Sequence, residues 1–279
     1  MICAWEPFLT ILPLWMRDTV DRLGKRSLRE LRMRINAPPE LVLADKSIFM
    51  ERSVRREDFS VVINLATKYS PWASETVTDG YITIPGGHRI GLCGSVISGH
   101  TFKSITSVCI RISRDFPGIA KKAAADGSLL IIGSPGSGKT TFLRDLIRQR
   151  SVQQNDRIAV VDERYEIFPT VDGAFCFDTG TRVDVYSGGS KVVGVDAVLR
   201  NMTPNVIAVD EISAVDDTNL LLQSAGCGVS FIATAHAGSV EDLQRRPIYR
   251  KLLDYALFQN LIILMPDMTW KMERCPACS

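Results

Sequence analysis

Residues 129–148 read LLIIGSPGSGKTTFLRDLIR, in which a glycine-rich loop separates an apolar run from a helical pattern. The loop matches G-x-x-x-x-G-K-T from Gly133 to Thr140. Glycines let the backbone approach a ligand closely, so successive N–H groups can face phosphate oxygens at the positive end of a helix. An incidental glycine-rich turn is the alternative, but the flanking strand and helix are the context of a phosphate-binding P-loop.

Every residue of this loop, together with the threonine after it, is a candidate nucleotide contact. Lys139 is expected to reach the β- and γ-phosphates, and the Thr140 hydroxyl is expected to bind Mg²⁺. ATP and Mg²⁺ are therefore the predicted ligand and cofactor. The candidate nucleotide-binding residues are Gly133, Ser134, Pro135, Gly136, Ser137, Gly138, Lys139, Thr140 and Thr141.

A P-loop also needs an acid that holds the metal, and an apolar run further along the chain supplies one. Residues 205–211 read NVIAVDE. We expect Asp210 to hold Mg²⁺ through water and Glu211 to polarise the attacking water. A strand end with solvated carboxylates is the alternative for this pattern taken alone.

A second apolar run is also followed by two acidic residues. Residues 157–164 read RIAVVDER. Two interpretations stay open. In the first, Glu163 acts as a base or water positioner beside the γ-phosphate. In the second, Asp162 and Glu163 only pair with Arg157 and Arg164.

The run FIATAH, residues 231–236, is a third strand with a polar end. It should deliver Thr234 and His236 to the same carboxyl edge of a parallel sheet. We therefore take His236 as a candidate γ-phosphate sensor, with a satisfied structural histidine as the alternative.

Charge on the phosphoryl oxygens in the transition state also calls for an arginine, from the same chain or a neighbouring subunit. Spacing does not choose among the candidates. They are Arg164, Arg182, Arg200, Arg245 and Arg246.

Composition favours an ordinary globular protein of about two domains, because 279 residues are 46% hydrophobic and 23% charged. The formal net charge of +2 provides no global field for nucleic acid or an anionic membrane. Seven cysteines, an odd number, fit a reducing cytoplasm. The apolar start of the chain lacks a basic region and a cleavage site, and no apolar run reaches the roughly 18 residues that span a bilayer.

From Pro117 onward, short apolar runs alternate with longer helical patterns. This change predicts a smaller α+β domain over residues 1–117 and an α/β domain with a mainly parallel sheet over 118–279. The N-terminal pattern predicts a helix over 5–24 interrupted at Pro13, strands at 28–35, 41–44 and 104–113, a helix at 57–69 and a hairpin at 80–98. The C-terminal pattern predicts helices at 118–127, 139–150, 192–202, 215–225 and 248–255, and strands at 129–132, 157–161, 206–209 and 229–234.

Two further features of the sequence each allow two interpretations. Cys275 and Cys278 form half of a zinc ligand set, with a frayed tail as the alternative. The basic residues near the N-terminus alternate with acids, which favours a solvated face over a nucleic-acid site. They are Arg22, Lys25, Arg26, Arg29, Arg32 and Arg34.

With these residues in place, the chain resembles the stage III sporulation protein AA family over nearly its whole length. The resemblance is carried by LRELRMRINAPPELVL and HRIGLCGSVIS in the first domain, IRISRDFPGIA at the junction, and the P-loop, VVDERYEI, TRVDVYSGGSKVVGVDAVLRNMTPNVIAVDEI and TAHAG in the second. It implies a RecA-like P-loop ATPase domain related to the type II and type IV secretion and pilus motors, which are hexameric rings with nucleotide between protomers.

In those relatives VVDER stands at the acidic "Asp box" and TAHA at the "His box", so the resemblance supports roles for Asp162, Glu163 and His236. The secretion motors commonly keep only the glutamate of the later acidic run, whereas Asp210 and Glu211 are both present here. The identity of the base, Glu163 or Glu211, therefore stays open.

The resemblance implies a cytoplasmic, Mg²⁺-dependent ATPase that powers or gates a membrane-associated secretion-type channel during sporulation. The expected partners are further copies in a hexameric ring and membrane proteins that recruit the chain to the membrane, with no direct nucleic-acid contact. The alternatives are a nucleic-acid motor or recombination ATPase, and a nucleotide-switched assembly scaffold.

Overall fold

The computed structural model describes residues 1–67, 80–97, 102–265, 267 and 269–275. The chain forms two compact units. The N-terminal unit comprises Met1–Asp115 and Pro169–Phe177, and the C-terminal unit comprises Phe116–Phe168 and Asp178–Ser279. The domains 1–117 and 118–279 stay a prediction, and no pattern in the sequence indicated that Pro169–Phe177 would cluster with the N-terminal unit.

The described part of the N-terminal unit contains a six-stranded antiparallel sheet in the order β3-β2-β1-β6-β5-β4. Its strands are β1 (Glu30–Arg34), β2 (Glu40–Val42), β3 (Ser47–Phe49), β4 (Tyr81–Ile84), β5 (His88–Val96) and β6 (Phe102–Arg111). Its helices are α1 (Trp5–Thr10), α2 (Leu14–Ser27) and α3 (Arg56–Thr67). The predicted break at Pro13 is confirmed, because this residue immediately precedes α2.

One face of this sheet builds the N-terminal core. Leu31 and Met33 alternate with charged residues on β1 and are fully buried, as the period of two in a strand requires.

His88 is also fully buried. Its Nε2 lies 2.8 Å from the carbonyl oxygen of Ala4, and the N–H of Ser113 donates to its Nδ1 at 3.0 Å. Burial lowers the pKa of His88 to about 4, so a neutral ring links three segments of the unit.

The C-terminal unit is built on a seven-stranded sheet in the order β11-β8-β12-β13-β7-β14-β15 among the described residues. Its strands are β7 (Leu129–Gly133), β8 (Ile158–Asp162), β11 (Val183–Ser187), β12 (Val206–Val209), β13 (Ser230–His236), β14 (Asn260–Leu264) and β15 (Trp270–Arg274), while the hairpin β9 (Thr170–Val171) and β10 (Ala174–Phe175) belongs to the N-terminal unit. Its helices are α4 (Lys139–Gln153), α5 (Lys191–Asn201), α6 (Val215–Ala225), α7 (Val240–Arg245) and α8 (Pro247–Asp254). Every pairing is parallel except that of β14 with β15, so the predicted mainly parallel α/β fold is confirmed.

The central strands β7, β8 and β12 are buried along their whole length. Such strands read as continuous apolar runs because both faces of a parallel sheet are covered. Their carboxyl ends, with that of β13, lie at one edge of the sheet and carry the predicted site residues. Strand β13 lies between β7 and β12. Asp210 therefore follows a strand that lies two positions from the P-loop strand β7 in the sheet.

The predicted helix over 118–127 is also wrong. This segment forms turns in which the N–H of Lys121 donates to the carbonyl of Gly118 and that of Ala123 to Ala120. The buried carboxylate of Asp145 accepts from the N–H groups of Gly118, at 3.0 Å, and Ala120, at 2.8 Å. This tertiary contact, which no local pattern reveals, fixes the segment against α4. The predicted ends of the 57–69 helix and of the 80–98 hairpin lie partly outside the described residues.

Candidate nucleotide-binding and hydrolysis site

The glycine-rich loop forms the predicted connection between β7 and α4. Gly136 and Gly138 have φ of +76° and +90°, a region that residues with a Cβ rarely enter. Helix α4 begins at Lys139, directly after the loop. The amides at this helix start therefore face the loop, which is the arrangement that binds phosphate groups.

Lys139 lies inside the loop with its ammonium hydrogens in use. Nζ donates to the carbonyl oxygens of Gly133, at 2.9 Å, and Ser134, at 3.0 Å. Its third contact is Nδ1 of His236, also at 2.9 Å. Burial lowers the pKa of Lys139, and the charges of Asp210 and Glu211 act in the opposite direction. A triphosphate would replace internal contacts of this cation.

The two predicted metal ligands touch each other, although 70 residues separate them in sequence. The Thr140 hydroxyl donates to Oδ2 of Asp210 at 3.0 Å. The other oxygen, Oδ1, accepts from the Thr234 hydroxyl at 2.7 Å and from the N–H of Glu211 at 3.0 Å. The Asp210 carboxylate is thus oriented by two neighbours on its own edge of the sheet.

This site fits the demands of Mg²⁺ and a phosphate chain. One carboxylate and one hydroxyl supply oxygen atoms, and Mg²⁺ in nucleotide sites usually takes one or two carboxylates together with phosphate oxygens. Within the described ranges, no group of three or more His, Cys, Asp or Glu side chains is arranged to hold a metal by itself. The Ser137 hydroxyl is buried in the loop and has no hydrogen-bond partner among the described residues. A buried polar atom of this kind is suited to a polar ligand.

His236 bridges the lysine and the second acid of the site. An ammonium group can only donate, so Nδ1 of His236 accepts from Lys139 and the ring hydrogen resides on Nε2. Nε2 lies 3.3 Å from Oε1 of Glu211. The predicted delivery of His236 to the same edge is confirmed, whereas its role as a γ-phosphate sensor stays a prediction.

Asp162 lies elsewhere than the pairing interpretation places it. It is buried, and its carboxylate accepts from the N–H groups of Glu166, Ile167 and Phe168 at 2.8 to 3.0 Å. Burial raises the pKa of Asp162 to about 6, against the opposing effect of these backbone bonds. Asp162 therefore shapes the loop after β8, and among the described contacts it has no ion pair with Arg157 or Arg164.

Glu163 faces the same small cavity as Glu211. Its Oε2 lies 3.5 Å from Nζ of Lys191. The cavity is lined by Val161, Asp162, Glu163, Arg164, Glu166, Lys191, Asp210, Glu211 and Ser213. Both candidate bases are thus at the same edge, but in the contacts described here Glu211 is linked to the P-loop and Glu163 to Lys191.

Lys191 is a residue of the site that sequence reasoning missed. It is largely buried and donates to the carbonyl oxygen of Glu211 at 2.8 Å. The available signal was a lysine at the first position of α5, directly after Gly188-Gly189-Ser190. A cation at a helix N-terminus is unfavourable unless acids face it.

Of the five candidate arginines, Arg164 lies at the cavity. Arg200 and Arg246 form surface ion pairs with acids on their own helices or helix ends. Sequence reasoning overlooked Arg144, a buried residue of α4 that donates to the carbonyl oxygen of Glu166 at 2.9 Å and also to that of Ile167. It ties the P-loop helix to the loop that Asp162 shapes.

Cys275 is buried in the core of the C-terminal unit, and its N–H donates to the carbonyl of Gln259 at 2.9 Å. A frayed tail therefore does not describe Cys275. Cys278 lies outside the described residues.

The C-terminal unit, with strand β7, the loop 133–140 and the acids of β8 and β12, has the fold of a P-loop nucleotide-binding ATPase. The pilus retraction motor PilT, solved with bound ADP, aligns over 88% of this chain and 76% of its own with a TM-score of 0.59 and 17% identity. The ATPase DotB of Legionella pneumophila aligns over 94% of this chain and 80% of its own with a TM-score of 0.58 and 16% identity. At these identities the likeness shows the fold.

The chain belongs to the family described as "Sporulation stage III, protein AA", whose sequence model matches residues 7–270. The stage III sporulation protein AA of Bacillus subtilis (strain 168) is 34% identical over 272 residues, which cover 91% of this chain and 89% of that relative. The uncharacterized protein ycf45 of Cyanidium caldarium is 30% identical over 161 residues, 54% of this chain and 47% of its own. The resemblance drawn from the motifs is confirmed. None of the described helices is long and apolar enough to cross a bilayer.

Proposed function

We propose that the C-terminal unit binds ATP with Mg²⁺ at residues 133–141 and hydrolyses it. The observation that carries the proposal is the 3.0 Å contact between Thr140 and Asp210 beside the lysine of the loop. A hydroxyl and a carboxylate that meet at the start of the P-loop helix, from distant parts of the chain, supply the metal-binding half of such a site.

In this proposal the loop amides and Lys139 bind the β- and γ-phosphates. Thr140 and Asp210 would hold Mg²⁺, which would supply positive charge that stabilises the phosphoryl oxygens. The hydroxyl of Thr234 and the N–H of Glu211 keep the Asp210 carboxylate oriented toward Thr140.

Glu211 is the residue that we propose to orient the attacking water. It follows Asp210 directly, and His236 connects its carboxylate to Lys139. The water oxygen bonds to the γ-phosphorus, the bond to the ADP oxygen breaks, and the Glu211 carboxylate accepts the water proton. When the phosphate accepts the hydrogen bonds of Lys139, Nδ1 of His236 loses its hydrogen-bond donor. His236 therefore couples nucleotide binding in the loop to its own contact with Glu211. Glu163, held by Lys191 in the same cavity, is the alternative base.

We further propose that the hydrolysis powers or gates a membrane-associated secretion-type channel during sporulation. The family description and the fold likeness to a secretion ATPase and a pilus motor support this step. The proposed assembly is a homo-oligomeric, hexameric ring in the cytoplasm that reaches the membrane through membrane-protein partners. The near-neutral net charge of +2 supports a role without direct nucleic-acid contact.

The test is phosphate release from ATP by the intact chain, with Mg²⁺ and with excess EDTA. Turnover should depend on Mg²⁺ and should be lost in Lys139→Ala. Lys122→Ala removes an exposed lysine of the same unit and should match the wild type. Equal phosphate release by the wild type and Lys139→Ala would contradict hydrolysis at this loop, as would none from the wild type.

A further inference from the structure

Lys191 contacts three segments, two of which carry the candidate bases Glu163 and Glu211. Its ammonium nitrogen lies 2.8 Å from the carbonyl oxygen of Glu211, 3.4 Å from Oδ2 of Asp217 and 3.5 Å from Oε2 of Glu163. The side chain is only 11% exposed. An ammonium group has three hydrogens, and here three oxygen atoms from separate segments surround it.

Asp217 extends this contact to the backbone after Glu211. It lies in the first turn of α6, and its Oδ2 accepts from the N–H groups of Ser213, at 2.8 Å, and Ala214, at 3.0 Å. The ion pair of Lys191 with Asp217 therefore holds the carbonyl of Glu211 on one side and two amides on the other.

The residue between these contacts is fixed as well. The N–H of Ile212 donates to the carbonyl of Thr234 at 2.8 Å, and its own carbonyl accepts from the Tyr249 hydroxyl at 2.9 Å. Each of the four residues from Glu211 to Ala214 thus has at least one backbone group in a hydrogen bond. Because Glu211 belongs to this segment, the orientation of its side chain depends on these backbone contacts.

Charge gives Lys191 a second role. Five carboxylate side chains line the cavity, with Arg164 as its other cation. The negative charges of neighbouring carboxylates repel more strongly in a partly buried site than in water. An ammonium group between Glu163 and the Asp217 carboxylate offsets that repulsion.

We propose that Lys191, together with Asp217, is a positioning residue for ATP hydrolysis. The pair holds the Glu211 segment so that its carboxylate faces His236 and the P-loop, and it keeps Glu163 in the same cavity. This inference rests on the proposed hydrolysis. Lys191 itself does not contact the nucleotide in this proposal. Loss of Lys191 should therefore lower the turnover rate and leave the affinity for ATP unchanged.

The test separates kcat from nucleotide binding in the intact chain. Lys191→Met removes the charge at nearly constant length and should lower kcat about 10- to 100-fold, because small misplacements of a reacting group have effects of that size. The Kd for ATPγS with Mg²⁺ should stay within about threefold of the wild type. Lys191→Arg should restore part of kcat, and Lys122→Met is the matched control.

Asp217→Asn gives an independent measure, since it removes the charge of the partner. It should lower kcat in the same direction, and the double variant with Lys191→Met should lose less than the product of the two single losses. An Asp217→Asn chain with wild-type kcat would overturn the inference.

The remaining outcomes distinguish the two proposals. Full kcat in Lys191→Met, with an active wild type, overturns the positioning role and leaves the hydrolysis standing. Loss of ATPγS binding or of the folded state in Lys191→Met together with unchanged kcat in Asp217→Asn shows a structural role and overturns the inference. An inactive wild type overturns both.

Discussion

The two sheets of this protein place their polar side chains differently. In the C-terminal sheet, parallel strands end at one edge, where hydrogen bonds link Lys139 to His236 and Thr140 to Asp210. In the N-terminal sheet, neighbouring strands run in opposite directions, and charged pairs such as Arg34 with Glu40 lie along a face. Strand direction thus decides where polar groups can converge, since only parallel strands bring their carboxyl ends together.

The buried polar groups show the same contrast. His88, in the N-terminal unit, has both ring nitrogens engaged by backbone groups and serves the fold. Lys139, in the C-terminal unit, uses contacts that a phosphate group can replace. If this contrast is right, substitutions at the C-terminal edge should change catalysis, and substitutions in the N-terminal unit should change stability alone.

The largest effect is expected at the two glutamates of the cavity. Glu211→Gln should lower kcat on the order of 10²- to 10⁴-fold, because a positioned base contributes that much. Glu163→Gln should lower it by less than about tenfold, since Glu163 contacts Lys191 and has no described contact with the P-loop. Single-turnover phosphate release measures both, with ATPγS binding as the control for folding. The reverse order of losses would make Glu163 the base.

The next effect concerns His88 and the free energy of unfolding. The folded-state pKa of about 4 lies below the ordinary 6.5, so the unfolded chain binds the additional proton between these values. The contribution of His88 to stability is therefore complete above pH 6.5 and is lost as the pH falls toward 4, by about 3 kcal/mol in total.

His88→Gln removes this titration, although it should also be less stable at pH 7. Urea unfolding at several values between pH 4 and 7.5 should give a shallower pH dependence for the variant than for the wild type. Asp162, whose pKa is raised, contributes with the opposite sign but is present in both chains, so it cancels in the difference. Parallel pH curves for the two chains would show that His88 is not the buried neutral group described here.

Thr140→Val tests the metal half of the site at nearly constant side-chain volume. Loss of the hydroxyl should raise the Mg²⁺ concentration required for half-maximal turnover roughly tenfold, or ~1.4 kcal/mol. Thr67→Val, on helix α3 of the N-terminal unit, is the matched control and should leave the requirement unchanged. An unchanged requirement in Thr140→Val would remove the hydroxyl from the metal site.

The smallest effect is expected on the N-terminal sheet. Arg34→Ala breaks an ion pair of 2.8 Å whose arginine side chain is 46% exposed. Such pairs contribute less than about 1 kcal/mol, so stability should change little and phosphate release should not change. A large loss of turnover in this variant would contradict the assignment of the chemistry to the C-terminal unit.

The sequence predicted strand 206–209 and helix 215–225 with the bounds that the structure has. Apolar runs and helical periodicity are local properties, and so are the P-loop and the acids that follow the strands. The contacts of Lys191 and Asp145 could not be predicted, because their partners come from distant segments. Strand β15 was missed because charged residues interrupt its short apolar pattern.

Calorimetric titration with ATPγS in the presence of Mg²⁺ measures whether the loop 133–141 binds a triphosphate. The wild type and Lys122→Ala should bind one nucleotide per chain. Lys139→Ala should bind on the order of 100-fold more weakly, a loss of ~2.7 kcal/mol. Equal affinity of Lys139→Ala and the wild type, or no binding by the wild type, would show that this loop is not the triphosphate site.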